Sequence, residues 1–271
     1  MHILHFRDVH EKRVRLTRDR LGPCRRTYRR AGNTAALALI VTLCSACARD
    51  PFPLHTAVEN ANAETVRELI RNGVDVNTRD PGGFTPLHRA VKAGHAKLIQ
   101  LLVDSGADVK AKGYYGVTAL HFVHNEASAR LLLARGAEVD PWARSQGTPL
   151  HSSVMGARAA IATLLVEHGA PLDAPDARGN TALHLAAGKD QITLMELLLG
   201  AGADVNKIND LGFAPLHWAA GNGHPRAVRL LVDAGADPLA AANDGGTPVT
   251  MAKQNDHETV LALLLRSPVQ P

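Results

Sequence analysis

The stretch Thr85-Pro86-Leu87-His88 decides the fold, because the chain returns to it at a fixed interval. The same four positions read Phe52-Pro53-Leu54-His55, Thr118-Ala119-Leu120-His121, Thr148-Pro149-Leu150-His151, Thr181-Ala182-Leu183-His184 and Ala214-Pro215-Leu216-His217. Counted on the histidine, the intervals are 33, 33, 30, 33 and 33 residues, and a further 33 reaches Thr250 in Thr247-Pro248-Val249-Thr250. A glycine follows each histidine by 18 residues at Gly73, Gly106, Gly169, Gly202 and Gly235, and by 15 at Gly136. Self-similarity at one such period marks a stacked array.

Each recurring residue has a physical task. Threonine is a good helix N-cap, since its hydroxyl can take up an otherwise orphaned amide. Pro86, Pro149, Pro215 and Pro248 then fall on the first helical position, where no amide hydrogen is needed. A second apolar stretch follows, as in Leu98-Ile99 with Leu102-Val103, or Leu194-Met195 with Leu198-Leu199. That spacing lays apolar side chains on one helix face. The recurring glycine is suited to closing this second helix in the left-handed conformation. Each unit therefore reads as helix, turn, helix and a connecting loop. One such unit cannot bury its own apolar face, so stability comes from stacking. The ends read as caps: the first unit has Thr65 where others have Leu98, Ile161 or Leu194, and the last has no closing glycine before 267–271.

The period and the Thr-Pro-Leu-His core resemble the ankyrin repeat family, over residues 52–266. The resemblance implies an all-α solenoid of about seven helix-turn-helix units with finger loops. It also implies a non-enzymatic protein-protein interaction module that binds its partner through finger tips and concave face. In that family the motif histidine ties neighbouring loops together, so His55, His88, His121, His151, His184 and His217 are assigned to structure. His95 and His224, after Gly94 and Gly223, belong to the turn between helices, whereas His124, His168 and His257 read as solvated singletons. No metal site and no cofactor are expected. The chain contains no His-Glu-x-x-His, no Gly-x-Ser-x-Gly and no phosphate-binding glycine loop. Ser152 beside His151 is the nearest approach to a nucleophile and base, but neighbours on a helix point about 100° apart. A hydrolase on the concave face is the discarded alternative.

Partner-facing positions lie just before each motif: Phe84, Tyr114, Tyr115, Trp142, Arg144, Arg178 and Phe213, along with Asn180, Asp210 and Leu211. Lys92, Met155, Lys189 and Asn222 lie on the first helices, with Trp218 nearby. Tyrosine, tryptophan and arginine dominate interface energetics. A protein-binding groove centred on units two to four is the expectation. The competing reading has the same aromatics pack against adjacent loops and stiffen the array. The 30-residue unit beside Tyr114, Tyr115 and Trp142 lacks about one helical turn.

The net charge of +4 misleads. Residues 1–48 carry +7, leaving −3 for the rest, and they hold all three cysteines, Cys24, Cys44 and Cys47. A basic segment to Arg30, an apolar run and Ala46-Cys47-Ala48 describe a signal peptide with a small-residue cleavage site. Cys47 is also a candidate for lipidation, although Cys44 stands where leucine is usual. Residues 49–266 are then the repeat domain and 267–271 a short tail. The expected product is periplasmic or secreted, monomeric, without a membrane span and without affinity for nucleic acid. A leader before such repeats is similar to exported bacterial ankyrin proteins, some linked to oxidative stress and others to neutralising effectors. A secreted effector that binds a host protein is the alternative.

Overall fold

A unit set off by its own contacts begins at Phe52. A computed structural model describes residues 50–266, so the leader, Cys47 and the tail lie outside the described residues.

Thirteen α-helices follow in pairs, one pair per unit except the third. They are α1 (Pro53–Glu59) with α2 (Ala63–Arg71), α3 (Pro86–Ala93) with α4 (Ala96–Asp104), then α5 (Glu126–Ala134) alone in the third unit. After it come α6 (Pro149–Met155) with α7 (Ala159–Glu167) and α8 (Ala182–Gly188) with α9 (Ile192–Gly200). The last pairs are α10 (Pro215–Gly221) with α11 (Pro225–Asp233) and α12 (Pro248–Gln254) with α13 (Glu258–Arg266). First helices pack on first helices and second helices on second helices, giving two layers. The motif leucines Leu54, Leu87, Leu120, Leu150, Leu183 and Leu216 are all buried between units. Each side chain so buried contributes about 1.5–3 kcal/mol. At the open end Val249 takes the same position and is only half-buried.

Helix boundaries follow the residues that set them. Thr85, Thr118, Thr148, Thr181 and Thr247 are N-caps in extended backbone, and proline opens α3, α6, α10 and α12. The six recurring glycines that end the second helices all adopt positive φ. The third unit shows what its three missing residues did. Every other unit turns between its helices through one left-handed residue, at Ala61, Gly94, Ala157, Asp190, Gly223 or Asp256. The third unit has no such residue, and its first helix shrinks to a 3-10 turn, Ala119–Phe122. Asn125 then caps α5 directly, its side chain accepting from Ser128 N at 2.8 Å.

Between units the chain forms narrow fingers, each closed by a backbone hydrogen bond. Asp80 N donates to Phe84 O, Gly113 to Val117, Ala143 to Gly147, Asp176 to Asn180, Asn209 to Phe213 and Ala242 to Gly246, at 2.7–3.0 Å. Adjacent fingers are also joined: Arg144 N donates to Tyr115 O at 2.9 Å, Asp210 N to Arg178 O at 3.2 Å and Asn243 N to Leu211 O at 3.0 Å.

Candidate functional site

The motif histidines fix the fingers to the helices. In His88 the ring Nδ1 accepts from Thr85 N at 3.2 Å, and the Thr85 hydroxyl lies 2.9 Å from the same nitrogen. Nε2 faces the Val117 carbonyl of the next finger at 3.2 Å. A carbonyl can only accept, so Nε2 carries the proton and Nδ1 is bare. His121, His151 and His184 repeat the arrangement toward Gly147 O, Asn180 O and Phe213 O, at 3.1, 2.9 and 2.8 Å. His55 Nε2 meets Phe84 O at 2.8 Å. At His217 the hydroxyl is missing, because the cap is Ala214, yet Ala214 N still donates to Nδ1 at 3.0 Å. The histidine thus caps α10 even where the hydroxyl is lost.

Such an imidazole is neutral by construction. A second proton would place an N–H against the threonine amide. Burial pushes His88 and His121 down to about 4, against which the Val117 and Gly147 carbonyls act only partly. Burial lowers His151, His184 and His217 as well. His88, His121, His151 and His184 have both nitrogens engaged, whereas His55 Nδ1 and His217 Nε2 are buried without a hydrogen-bond partner in the fold. The Ser152 hydroxyl donates to Gln146 Oε1 at 3.2 Å, and His151 is engaged at both nitrogens, so the two form no dyad.

Of the three histidines read as solvated, His124 and His168 are exposed and His257 is half-buried, and each makes a hydrogen bond. His124 Nε2 binds Lys92 O at 2.9 Å, His257 Nε2 binds Gly221 O at 3.1 Å, and His168 Nδ1 binds Leu164 O at 2.8 Å. The first two tie the turn of one unit to the first helix of the unit before. His224 does the same at Gly188 O.

The partner-facing positions separate into two groups. Tyr114, Tyr115 and Trp142 are 60%, 69% and 48% exposed, and Arg144, Arg178 and Leu211 are exposed too. Tyr114 and Tyr115 sit edge-on, 6.4 Å apart. Tyr115 has φ +61, a conformation that is a genuine outlier for a bulky residue. The next residue, Gly116, has φ +83, and a Cβ there would meet Trp142 O at 2.7 Å. Trp142 keeps a polar anchor, its Nε1 donating to Pro175 O at 3.0 Å.

Phe84 and Phe213 belong to the other group. Both are half-buried, Phe84 against Phe122 and His88, Phe213 against His217. They stiffen the fingers, as the competing reading of the aromatics holds. Asn180 is buried, not at a tip: its amide donates to Asp176 Oδ2 and its oxygen accepts from Asn209 Nδ2 at 2.8 Å. Trp218 is half-buried over Gly188, with a buried Nε1 that has no hydrogen-bond partner in the fold. Met155 is 53% exposed; Lys92, Lys189 and Asn222 are exposed, the latter two bonding back to Met155 O and Gly188 O.

Sequence reasoning missed the finger supports. Asp80 Oδ1 accepts from Gly82 N and Phe84 N, and its other oxygen pairs with Arg89. Burial acts to raise this carboxyl, and Arg89 and the two amides outweigh it, so it titrates below the ordinary value. Asp176 and Asn209 hold their fingers by the same pair of amide bonds. Asn77 and Asn206 bridge to the next unit, at Gly106 and Asp108 and at Gly235 and Asp237. The recurrence of Asp-Val-Asn at 75–77 and 204–206 was the available signal.

Among the described residues no cluster of three His, Cys, Asp or Glu side chains could hold a metal ion, and no helix is long and apolar enough to cross a membrane. Paired helices in two layers, locked fingers and an exposed aromatic edge define a repeat scaffold that presents a surface. The chain belongs to the ankyrin repeat family: a family description of ankyrin repeats in three copies matches residues 30–113, 54–141, 118–209 and 191–270. Among solved structures it is similar to the ankyrin repeat domain of Bcl-3, a unique member of the IkappaB protein family, at 30% identity and a TM-score of 0.69. That match covers 81% of this chain and 100% of the other. It is also similar to the ankyrin repeat domain of human ASB11, at 25% identity and a TM-score of 0.69, covering 80% and 98%. No curated protein matches. Ankyrin repeats are protein-interaction modules.

Proposed function

We propose that this protein binds a partner protein through the fingers at 112–117 and 142–147, and that it does so after export. One observation carries the binding surface. Tyr114, Tyr115 and Trp142 are more than two-fifths exposed on neighbouring fingers, and Tyr115 keeps an unfavourable backbone conformation there. Such strain costs about 1–3 kcal/mol and persists where the surroundings over-determine it. The bonds that hold these fingers come from backbone atoms, from Trp142 Nε1 and from Arg79, His88, His121 and Ser152, and none uses a tyrosine ring. Export rests on the leader: the +7 segment, the apolar run and Ala46-Cys47-Ala48 are the parts of a cleavable signal. The mature chain then begins near Arg49 in the periplasm, where it has no catalytic task.

The test replaces Tyr114, Tyr115 and Trp142 by alanine in the exported protein and measures partner capture from a periplasmic extract. Capture falls at least about tenfold, since each aromatic anchor is worth about 1–2 kcal/mol or more. Unchanged capture with intact helical circular dichroism refutes the surface. Recovery of the protein only in the culture medium refutes the periplasmic endpoint.

A further inference from the structure

Beyond the aromatic edge, the fingers at 142–147 and 175–180 stand over α6, α8 and α10 and enclose a groove of ≈ 440 Å³. Arg144 and Arg178 line its finger side, and Met155, Leu185 and Trp218 line its helix side. The groove is thus cationic on one wall and apolar on the other.

Two arginines and one acid, Asp176, line it, which leaves one positive charge in excess. Neither guanidinium takes part in an ion pair among the described residues. The acid that lines the groove is Asp176, and its two oxygens are already occupied by Arg178 N, Asn180 N and Asn180 Nδ2. Asp210 stands against Gly179 and pairs with neither arginine. The surrounding layer has the same sign. From the second unit to the seventh, no first helix contains Asp or Glu, whereas α3 carries Arg89 and Lys92, Lys189 caps α8, and α12 carries Lys253. Each of the seven second helices carries at least one acid. Those second helices balance eight acids with seven bases, so they are near neutral, whereas the first helices of units two to seven carry cations alone and most of the acids of 49–271 lie in the loops.

We propose that this groove takes an acidic segment of the partner protein, a carboxylate set between Arg144 and Arg178 and the adjacent aliphatic or aromatic side chain laid on Met155, Leu185 and Trp218. The inference rests on the partner-binding reading above and names the chemistry that the partner must present. A planar guanidinium recognises a carboxylate through paired N–H donors. The apolar wall supplies the area that charge alone does not. A basic segment would meet two unpaired cations and is disfavoured.

An unbiased selection tests it. The whole mature chain is immobilised and panned against a displayed random-peptide library. The expected peptides place Asp or Glu beside Leu, Ile, Met, Phe or Trp. One enriched peptide is then labelled and titrated by fluorescence anisotropy against the protein and its variants. Arg144→Ala with Arg178→Ala weakens binding by about tenfold or more, because two charge-assisted contacts are lost. Arg144→Lys with Arg178→Lys restores part of it. Raising salt from about 50 mM to about 500 mM weakens the native protein more than the double alanine variant. Tyr114→Ala with Tyr115→Ala keeps the peptide within about twofold, as neither ring lines the groove. Enriched peptides that are neutral or basic, an absence of enrichment, or equal affinity in the double alanine variant would overturn the proposal. Partner capture lost in the tyrosine–tryptophan variant but unaffected by the arginine pair would remove this groove and leave the finger surface standing.

Discussion

Lowering the pH from 7.5 to 5.0 should weaken the stack by an amount that the histidines set. His88 and His121 are buried, titrate at about 4 in the fold, and return to about 6.5 when the chain unfolds. A group whose folded value is depressed in this way is neutral in both states above 6.5. Below 6.5 the unfolded chain takes the proton first, so stability is lost as pH falls from about 6.5 toward about 4. At pH 5.0 each histidine is almost fully protonated in the unfolded chain and almost neutral in the fold. Relative to pH 7.5 that is about 2 kcal/mol per histidine, or about 4 kcal/mol for the two. His151, His184 and His217 are shifted the same way and add to the loss. This is a large part of the 5–15 kcal/mol typical of a folded protein. The assay is urea unfolding followed by far-ultraviolet circular dichroism at half-unit steps of pH. The slope near pH 5 should correspond to about two or more protons taken up on unfolding. Stability that is flat or rising between pH 6.5 and 5.0 would refute the hydrogen-bond assignment, since it would mean that Nδ1 is free to accept a proton in the fold.

Local changes follow the same logic. Ala214→Thr restores the hydroxyl that the equivalent caps possess and should raise stability by about 0.5–1 kcal/mol, read from the urea midpoint. Gly116→Ala should cost more than about 1 kcal/mol, as φ is +83 and the new Cβ meets Trp142 O; an unaltered Trp142 emission spectrum and midpoint would count against the finger packing. Asp80→Ala leaves Gly82 N, Phe84 N and Arg89 without their acceptor and should cost about 2–3 kcal/mol, less than a fully buried pair because Arg89 stays partly in water. A loss below about 0.5 kcal/mol in thermal unfolding would show that Asp80 does not support the finger.

The architecture was legible because its signal is one-dimensional. A 33-residue return of Thr-Pro-Leu-His fixes where each helix starts, which side chain is buried and where the glycine ends it. The short third unit was legible too, as a missing turn near His124, although not the loss of the left-handed residue that goes with it. The exposed finger surface was only half legible. Finger positions follow from register, so the exposure of Tyr114, Tyr115 and Trp142 was readable. Whether a finger residue points outward depends on its neighbour. Phe84 turns in because Phe122 and His88 offer it a surface, and Asn180 is buried because Asn209 on the next finger completes its hydrogen bonds. Pairs 29–36 residues apart are invisible to local pattern. The tethers of His124 and His257 went unread for that reason: their acceptors, Lys92 O and Gly221 O, belong to the preceding unit.

The account's central claim is that a partner protein lies across the fingers and the first-helix layer. Hydrogen exchange of the protein, with and without the captured partner, tests it most directly. The account predicts slowed exchange at 113–117, 142–147 and 176–180, with the second helices unchanged. Protection confined to the second helices, or spread evenly over all seven units, would contradict it.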